Sequence, residues 1–429
     1  MNTPFRQRTI LWHLVRLTPS SPPDTSVTCL EAPHHPSLLW RLNDPVPAAM
    51  SKPAIMFRVS TIAFALSLCL AGDGSSTAAA TESAVRRSLV FSNATARLVA
   101  DLDGGAIGDF RRVGNPVNPL HWGTPTAGDT AIRGFGHFLC LDRWGPPSEA
   151  EGARGMPYHG EASHVAWQPG GEVSPRAGAL EATMSAKLPI AGLAIQRRIR
   201  FSVSDPVFAV REVITNENPL GRLYNCVQHP TIGPPFLDTR TLVDCNGRRG
   251  FAQGGSLPHP EEPSSYWPRA LTKDGESVDL RRLLDDPEPN VVTYAIDQPY
   301  GWVTAISPST RLLLGYFWKT SDYPWISLWR DVRDGAPAAR GLEFGTTGLH
   351  QPFPILTKKG RIWDRPLAEH LDSGQAVGKE YIAFLLEIPP DFRGVEDVVL
   401  QGNQLTVRER SAEGPPRELR LSIEHLLVP

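Results

Sequence analysis

The sequence predicts an all-β protein, built as a large antiparallel sandwich with few short helices. Three observations lead to this class. The 429 residues include 37 glycines and 41 prolines, which interrupt long helices. Apolar and polar residues alternate regularly over residues 193–203. Short β-branched and aromatic runs recur without long helical segments between them, which argues against a parallel α/β sheet.

The clearest strand pair lies in LAIQRRIRFSVSDPVFAVREVITNEN, residues 193–218. Its first half predicts a strand with one solvent-exposed face, because alternate side chains of a strand point to opposite sides. The apolar face carries Leu193, Ile195, Ile199, Phe201 and Val203. Asp205 and Pro206 then predict a turn, and the apolar residues after it predict the returning strand of an antiparallel hairpin.

Later strands are predicted from GWVTAIS (301–307), RLLLGYFWK (311–319), WISLWRDV (325–332) and EYIAFLLEIPP (380–390). One short helix is predicted over SVDLRRLLDD, residues 277–286. Two long loops, 144–175 and 252–290, are candidate carriers of binding residues, since loops on a rigid β scaffold often hold them. The predicted folded domain is 88–410, followed by a charged tail, 411–429, outside its core.

Residues 1–80 are interpreted as an upstream extension plus a signal peptide, with the true start at Met50 or Met56. Two basic residues precede a short apolar run, 62–71, and small residues follow it at 78–80. This pattern predicts export to the periplasm or the medium, with no stable membrane span after cleavage. Cys69 permits a lipid anchor, but Leu68 stands where such a site needs a small residue.

The charge and cysteine content narrow the partners. A net charge of -2 without a basic stripe does not favour nucleic acid. Three cysteines follow the predicted cleavage site: Cys140, Cys226 and Cys245. Cys226 and Cys245 are the candidate pair for a disulfide, and buried free thiols are an equally good interpretation.

Chemically useful residues occur in five segments: NPLHW (118–122), AIRG (131–134), YHGEAS (158–163), VQHPTIGPPFLD (227–238) and GLEFGTTG (341–348). Their order, with LDGGAIGDFRRVGNPVNPLHW before them and the hairpin ending in ITNEN between them, resembles the galactose mutarotase-like superfamily. That superfamily includes aldose 1-epimerases and hexose-6-phosphate 1-epimerases. The resemblance covers residues 88–390 and implies a β-supersandwich with a carbohydrate cleft. The usual His-Pro-Tyr-Phe is replaced here by HPTIGPPF, so the aromatic neighbour is displaced.

The resemblance implies a role for four residues: Arg133 as a sugar ligand, His159 and His229 as active-site histidines, and Glu343 as the catalytic base. Interconversion of anomers needs a base for the C1 hydroxyl and an acid for the ring oxygen, and no metal or organic cofactor. We assign the acid to His229, with His159 supporting the oxygen, and the reverse assignment of the two histidines stays open. The carboxylate and imidazole are expected on opposite sides of a sugar-sized space.

Residue types suggest further ligands: Arg143 for a hydroxyl or carboxylate, Asp238 or Asp244 as the acidic ligand, and Trp325, Trp329 and Phe236 for stacking. Each has a structural alternative. Arg133 could pair with Asp129, and the tryptophans could belong to the core. HGEASH also permits a metal site, but His164 would lie on the wrong face of a single strand, so no metal is assigned.

The sequence therefore predicts an exported protein that binds a carbohydrate and has aldose 1-epimerase-like activity. Two alternatives remain. One is a non-catalytic carbohydrate-binding protein on the same fold. The other is a polysaccharide-processing enzyme on a related sandwich, which would need a tyrosine or a second carboxylate near the same histidines.

Overall fold

The computed structural model describes residues 86–255, 257, 262–272, 274–282, 290–411 and 414–427. The extension and signal-peptide predictions, including Cys69, lie outside the described residues. Short strands bounded by turns dominate the described part of the chain, as the many glycines and prolines predict.

The first half of the chain forms β1 (Ser88–Ser92), β2 (Ala96–Asp101), β3 (Ile107–Arg112), β4 (His137–Leu141), β5 (Gln168–Pro169), β6 (Ser174–Arg176), β7 (Ala179–Leu188), β8 (Leu193–Ser202), β9 (Val207–Asn216), β10 (Arg222–Tyr224), β11 (Cys226–Ile232), β12 (Leu242–Cys245), β13 (Gly247–Ala252) and β14 (Ser265–Tyr266). The second half forms β15 (Arg269–Leu271), β16 (Ser277–Asp279), β17 (Val291–Ile296), β18 (Tyr300–Ser307), β19 (Leu312–Lys319), β20 (Trp325–Arg333), β21 (Ala336–Gly345), β22 (Arg361–Ile362), β23 (Arg365–Pro366), β24 (Glu369–Leu371), β25 (Ala376–Glu387), β26 (Val395–Gln401), β27 (Gln404–Glu409) and β28 (Glu418–Ser422). Two short helices, α1 (Glu149–Gly152) and α2 (Phe353–Lys359), and a 3₁₀ turn, Ala162–His164, complete the described elements.

Two large antiparallel sheets face each other, which confirms the predicted fold class. The first has the order β1-β2-β3-β4-β11-β21-β20-β17-β13-β14, and the second β12-β18-β19-β25-β9-β8-β7-β5 with β6 beside β7. The four later strand predictions correspond to β18, β19, β20 and β25. Rings from the two sheets meet between them, for example Phe110 and Phe208 with centroids 5.0 Å apart.

Strand β8 has the predicted apolar face, since Leu193, Ile195, Ile199 and Phe201 are all buried. Val203 is exposed, because β8 ends at Ser202 and the chain turns there. Arg197 lies on this same buried face and interrupts its apolar pattern, because it stands two positions from both Ile195 and Ile199. Arg197 is buried in an ion pair with Glu212, whose carboxylate offsets the cost of placing a guanidinium between the sheets.

The C-terminal segment is part of the fold, which corrects the prediction of a tail at 411–429 outside the core. Strand β28 pairs with β27, and β26, β27 and β28 form a three-stranded sheet. Leu421, Ile423 and Leu426 are buried with apolar side chains of the second sheet. The charged residues misled the prediction because they alternate with these apolar ones, as in any strand with one covered face.

The predicted helix at 277–286 is wrong over its described residues. Ser277–Asp279 is strand β16, which pairs with β15. Gly275, which has a positive φ, lies in the turn between the two strands. The residues predicted to begin the helix are therefore paired in a short hairpin instead. Neither helix in the described ranges has the length and apolar content that a bilayer crossing requires.

The candidate disulfide between Cys226 and Cys245 is not formed. Both residues are buried free thiols, as is Cys140. The alternative interpretation, in which these cysteines act as small apolar residues, is therefore the correct one for the described chain.

Candidate active site

One row of side chains crosses five neighbouring strands of the first sheet and forms the centre of the site. Phe138 on β4 pairs in register with His229 on β11. His229 lies between the pairs Gln228–Phe344 and Thr231–Gly341, which places it opposite Glu343 on β21. The row continues to Ser327 and Thr293, whose hydroxyl oxygens are 2.8 Å apart. Residues more than a hundred positions apart thus become cross-strand neighbours.

Strand alternation decides which side chains reach the site. His229 faces a cavity on the outer side of the first sheet, whereas Gln228, the residue before it, points between the sheets and bonds to Glu212. The cavity has a volume of about 690 Å³, within the usual range for ligand sites. Its described lining is mostly aromatic or amide-bearing.

Glu343 is buried at the base of the cavity and has two polar neighbours. The indole Nε1 of Trp144 donates to its Oε2 at 2.6 Å. Its Oε1 lies 3.3 Å from Nε2 of His229. Burial raises the pKa of Glu343 to about 8, because removing water penalises the carboxylate more than the indole bond favours it.

His229 is held from both sides. Its ring stacks on Phe138 with centroids 4.3 Å apart, and its Nδ1 lies 3.0 Å from the hydroxyl of Thr231. Burial lowers the pKa of His229 to about 3. Although the distance would suit an ion pair, burial of both groups favours the neutral form, in which a protonated Glu343 donates to an unprotonated Nε2 of His229.

The loop between β4 and β5 places His159 beside His229 and Glu343. Two glycines of this loop, Gly145 and Gly160, allow its close packing. The backbone of Gly145 pairs with His159 twice: its N–H donates to His159 Nδ1 at 3.1 Å, and its carbonyl accepts from the His159 N–H at 3.0 Å. Gly145 has a positive φ, and a Cβ there would lie 2.8 Å from His350 Nε2. A Cβ on Gly160 would collide with the carbonyl oxygen of Leu141. Both glycines are required by close packing.

His159 is a neutral hydrogen-bond donor in this arrangement. Because its Nδ1 accepts from Gly145, its Nε2 carries the proton. Burial lowers the pKa of His159 well below its ordinary value, and the neighbouring His229 and His350 lower it further. His159 lies beside His229, with ring centroids 5.3 Å apart.

Among the lining residues that the sequence did not indicate, five carry aromatic rings: Trp122, Phe138, Trp144, Tyr158 and His350. His350 accepts or donates a hydrogen bond with the hydroxyl of Tyr158 at 3.1 Å, and burial lowers its pKa to about 4. Tyr158 stands inside the motif YHGEAS, beside His159, and Trp144 directly precedes Gly145. Their positions next to Gly145 and His159 were the sequence signal from which they could have been predicted as site residues.

Of the eight predicted site residues, His159, His229, Glu343 and Trp329 line the cavity, and Arg133, Arg143, Asp238 and Trp325 do not. Arg133 pairs with Asp129 at 3.1 Å, which is its structural alternative. Arg143 is buried, bonded to Asp142 at 2.9 Å and to Glu151.

Asp238 closes a turn, since its carboxylate accepts from the N–H of Arg240 at 2.8 Å. Trp325 is fully buried in the core around α2. The assignments of Arg133, Arg143, Asp238 and Trp325 as substrate ligands are corrected accordingly. Two further suggestions also fall outside the cavity, because Asp244 pairs with Arg281 at 2.5 Å and Phe236 belongs to the core.

The metal interpretation of HGEASH receives no support from its glutamate. Glu161 accepts hydrogen bonds from the N–H groups of Ile190 and Ala191, at 3.1 and 2.6 Å, which fixes a turn after β7. Its carboxylate is therefore occupied by backbone and does not join His159 in the cavity.

Solved structures share this architecture. A protein from Synechocystis sp. PCC 6803 aligns over 71% of this chain and 97% of its own, with a TM-score of 0.51 and 12% identity. A galactose mutarotase-like protein from Clostridium acetobutylicum aligns over 71% and 96%, with a TM-score of 0.51 and 12% identity. A galactose mutarotase related enzyme from Lactobacillus acidophilus has a TM-score of 0.49 at 11% identity, over 71% and 98%. No protein-family model and no curated protein matches the chain.

The two sheets and the cavity on one of them define the class: a β-sandwich protein with an aromatic-lined cavity on the outer side of one sheet. More specifically, the chain has the fold of the galactose mutarotase-like superfamily. At 12% identity these similarities concern the fold alone.

Proposed function

We propose that the protein is an aldose 1-epimerase-like isomerase that binds a sugar in this cavity and interconverts its anomers. The contact that carries the proposal is the 3.3 Å pair of His229 Nε2 and Glu343 Oε1 at the base of an aromatic cavity. Proton donor and proton acceptor are adjacent there and shielded from bulk water.

His229 and Glu343 are adjacent and do not lie on opposite sides of a sugar-sized space, which corrects the expectation from the sequence. Adjacency is compatible with the reaction, because the hydroxyl that loses a proton and the ring oxygen that gains one are both bonded to C1. As the base takes the hydroxyl proton, the bond from C1 to the ring oxygen breaks and that oxygen accepts the proton of the acid. The open-chain aldehyde then rotates about its C1–C2 bond and closes by the reverse transfers.

The neutral pair exchanges the roles assigned from the sequence. With Glu343 protonated and His229 unprotonated, Glu343 protonates the ring oxygen and His229 takes the proton from the C1 hydroxyl. After the transfer, Glu343 is a carboxylate and His229 an imidazolium, and the reverse transfers restore the resting state. His159 donates its Nε2–H to a sugar oxygen beside the pair.

The charge of the lining favours an unphosphorylated sugar. Of the described residues that line the cavity, none is lysine or arginine, and Glu343 is the one aspartate or glutamate. A phosphate group would therefore lose its hydration without a cation in the described lining to replace it. An aldose, or the aldose end of a glycan, has no phosphate group and therefore needs no such cation.

A polysaccharide-processing enzyme is the second candidate, since a tyrosine does lie near the histidines. The ring of Tyr158 is 4.2 Å from that of His159. However, burial raises the pKa of Tyr158 to about 12, so its phenol is protonated at pH 7. Tyr158 is thus suited to donate a proton and poorly suited to abstract one, as an elimination would require.

Polarimetry of freshly dissolved aldoses tests the proposal. The wild type should accelerate the relaxation of optical rotation, and Glu343→Gln and His229→Asn should each lose roughly a hundred- to ten-thousand-fold of that acceleration. Glu343→Gln keeps the shape of the carboxyl group and can still accept from Trp144. Sugar binding without any acceleration by the wild type would favour the non-catalytic carbohydrate-binding protein.

We also propose that the protein is exported, on the pattern of residues 52–80 alone. Expression with the full N-terminal segment should yield a mature chain in the periplasm or the medium that begins just after residue 80. N-terminal sequencing measures this directly. A chain retained in the cytoplasm with its N-terminus intact would contradict it.

A further inference from the structure

The floor of the cavity is much longer than the catalytic pair requires. Six adjacent strands of the first sheet contribute to it, in the order β4, β11, β21, β20, β17 and β13, through Phe138, His229, Glu343, Trp329, Val291 and Ala252. With strands about 4.8 Å apart, five intervals give a floor of about 24 Å. His229 and Glu343 occupy the second and third strands, so most of the floor extends to one side of them.

Two tryptophans form a corner next to the catalytic pair, since Trp329 lies 6.3 Å from His229 and Trp122 stacks on Phe138, with ring centroids 6.2 Å apart. Trp329 on β20 is paired with Gly341, one row along the sheet from Glu343. The ring of Trp122 meets that of Trp329 at 81°, with centroids 5.8 Å apart. Both side chains are partly exposed and line the cavity. We call Trp122 and Trp329 the tryptophan corner.

Gly341 keeps the space between Glu343 and the tryptophan corner open. A Cβ at this position would lie 2.8 Å from Oε1 of Glu343 and 3.1 Å from Cβ of Trp329. Because Gly341 has no side chain, a ligand held at Glu343 can continue over the strand towards Trp329. The apolar indole faces suit the C–H face of a sugar ring, and stacking there needs no charge.

We propose that the cavity binds the end of a neutral oligosaccharide or glycan, with one sugar at His229 and Glu343 and the next stacked on the tryptophan corner. The placement of the reducing sugar at the pair rests on the proposed function. The second position rests on the partly exposed indoles beside Gly341, and on the uncharged floor that continues past Trp329 with Asn290, Thr272 and Val291.

Calorimetric titration of the full chain with glucose, cellobiose, cellotriose, maltose and maltotriose tests this inference. In at least one series the Kd should fall roughly tenfold from glucose to the disaccharide, which corresponds to the addition of one stacked ring. Trp329→Leu should remove that gain, so that its Kd for glucose and its Kd for the disaccharide become nearly equal. Trp122→Leu, on a different segment, should reduce it too, so that a folding defect in one variant does not decide the result.

Trp325→Phe is the matched control, since Trp325 lies on the same strand but in the core around α2. The Kd of Trp325→Phe should still fall roughly tenfold from glucose to the disaccharide. Equal affinity for glucose and every oligosaccharide would overturn the inference, as would a Trp329→Leu variant that weakens glucose and disaccharide alike. A gain seen with 4-nitrophenyl glucoside but not with either disaccharide would also overturn it, because the corner would then bind an aryl group.

The proposed catalysis and the proposed extended binding site can be tested independently of each other. Glu343→Gln should lose mutarotation while its Kd still falls with chain length. If the wild type shows the length dependence without accelerating mutarotation, the proposed catalysis is wrong and the extended binding site stands. If it accelerates mutarotation of glucose and shows no length dependence, the reverse holds.

Discussion

Two consecutive residues of β11 each contact a buried glutamate, and the two glutamates are neutralised in different ways. Gln228 donates to Glu212 at 2.7 Å between the sheets, where Nε of Arg197 also donates to that carboxylate at 2.8 Å. His229 contacts Glu343 on the cavity side, where the second neighbour is the indole of Trp144. One glutamate therefore has a guanidinium beside it, and the other has two uncharged groups.

This difference separates a structural carboxylate from a reactive one. The charge of Arg197 offsets the cost of burying Glu212, and its guanidinium also reaches the carbonyl of Gly105 and lies 4.7 Å over the ring of Trp167. Glu343 has no comparable compensation and keeps its proton near neutral pH instead. The first arrangement holds two sheets together, and the second leaves a proton available for transfer.

The largest effect on stability is expected from Glu212→Gln. This change keeps the shape of the side chain but leaves Arg197 as a buried, uncompensated charge, which typically costs about 3–5 kcal/mol. Urea unfolding at pH 7 measures the loss. The control is Glu343→Gln, which makes the same replacement at a carboxyl that is already protonated and should cost less than about 1 kcal/mol. Equal losses in the two variants would show that both glutamates are charged.

The sequence was sufficient for the scaffold and for part of the site. The alternation in β8 and the short apolar runs predicted strands, because these patterns are local and can be recognised within a few consecutive residues. The resemblance brought together His159, His229 and Glu343. It did not indicate Trp144, because the bond from Trp144 to Glu343 joins positions 199 apart and depends on how a loop lies over the sheet.

Arg133, which the resemblance implied as a sugar ligand, and the residues assigned from type alone fared worse. Arg133, Arg143 and Asp238 are polar residues that bind sugars in many proteins, but here nearby carboxylates or backbone groups satisfy them. Of the two predicted stacking tryptophans on β20, Trp329 faces the open cavity and Trp325 lies under α2. They are four positions apart and share a strand face, so only the packing of α2 distinguishes them.

The pH dependence of stability sharpens the comparison further. Glu343 has a pKa of about 8 when folded and an ordinary value near 4.5 when unfolded, so the folded protein holds one more proton between these values. Stability then falls as pH rises through this window, by up to about 1.4 kcal/mol per pH unit. His229, with a folded pKa of about 3, acts in the opposite sense up to its ordinary value of 6.5 and is silent above it.

The clean interval is therefore pH 6.5 to 8, where only Glu343 of the pair changes its charge on unfolding. Urea unfolding of the wild type and of Glu343→Gln across this interval should show the variant gaining stability relative to the wild type as pH rises. A constant difference would mean that Glu343 is already a carboxylate in the folded protein, like Glu212.

The smallest effect is expected from Trp144→Phe, which removes the indole N–H from Glu343 and keeps an aromatic ring in place. That bond favours the carboxylate, so its loss should move the pKa of Glu343 above 8. The alkaline limb of the pH–rate profile for mutarotation should shift upward by a fraction of a pH unit to about one unit, with roughly a tenfold loss of rate at most.

Trp325→Phe again supplies the control for Trp144→Phe, because it removes an indole of the same size that does not contact Glu343. Its pH profile should match that of the wild type even if its stability falls. An unchanged profile in Trp144→Phe would mean that the indole only fills space, and that burial alone sets the proton affinity of Glu343. A shift in Trp144→Phe and not in Trp325→Phe would instead identify the indole as the group that holds the pKa of Glu343 close to neutral pH. No cation is needed for this at Glu343, whereas Glu212 has the guanidinium of Arg197 beside it.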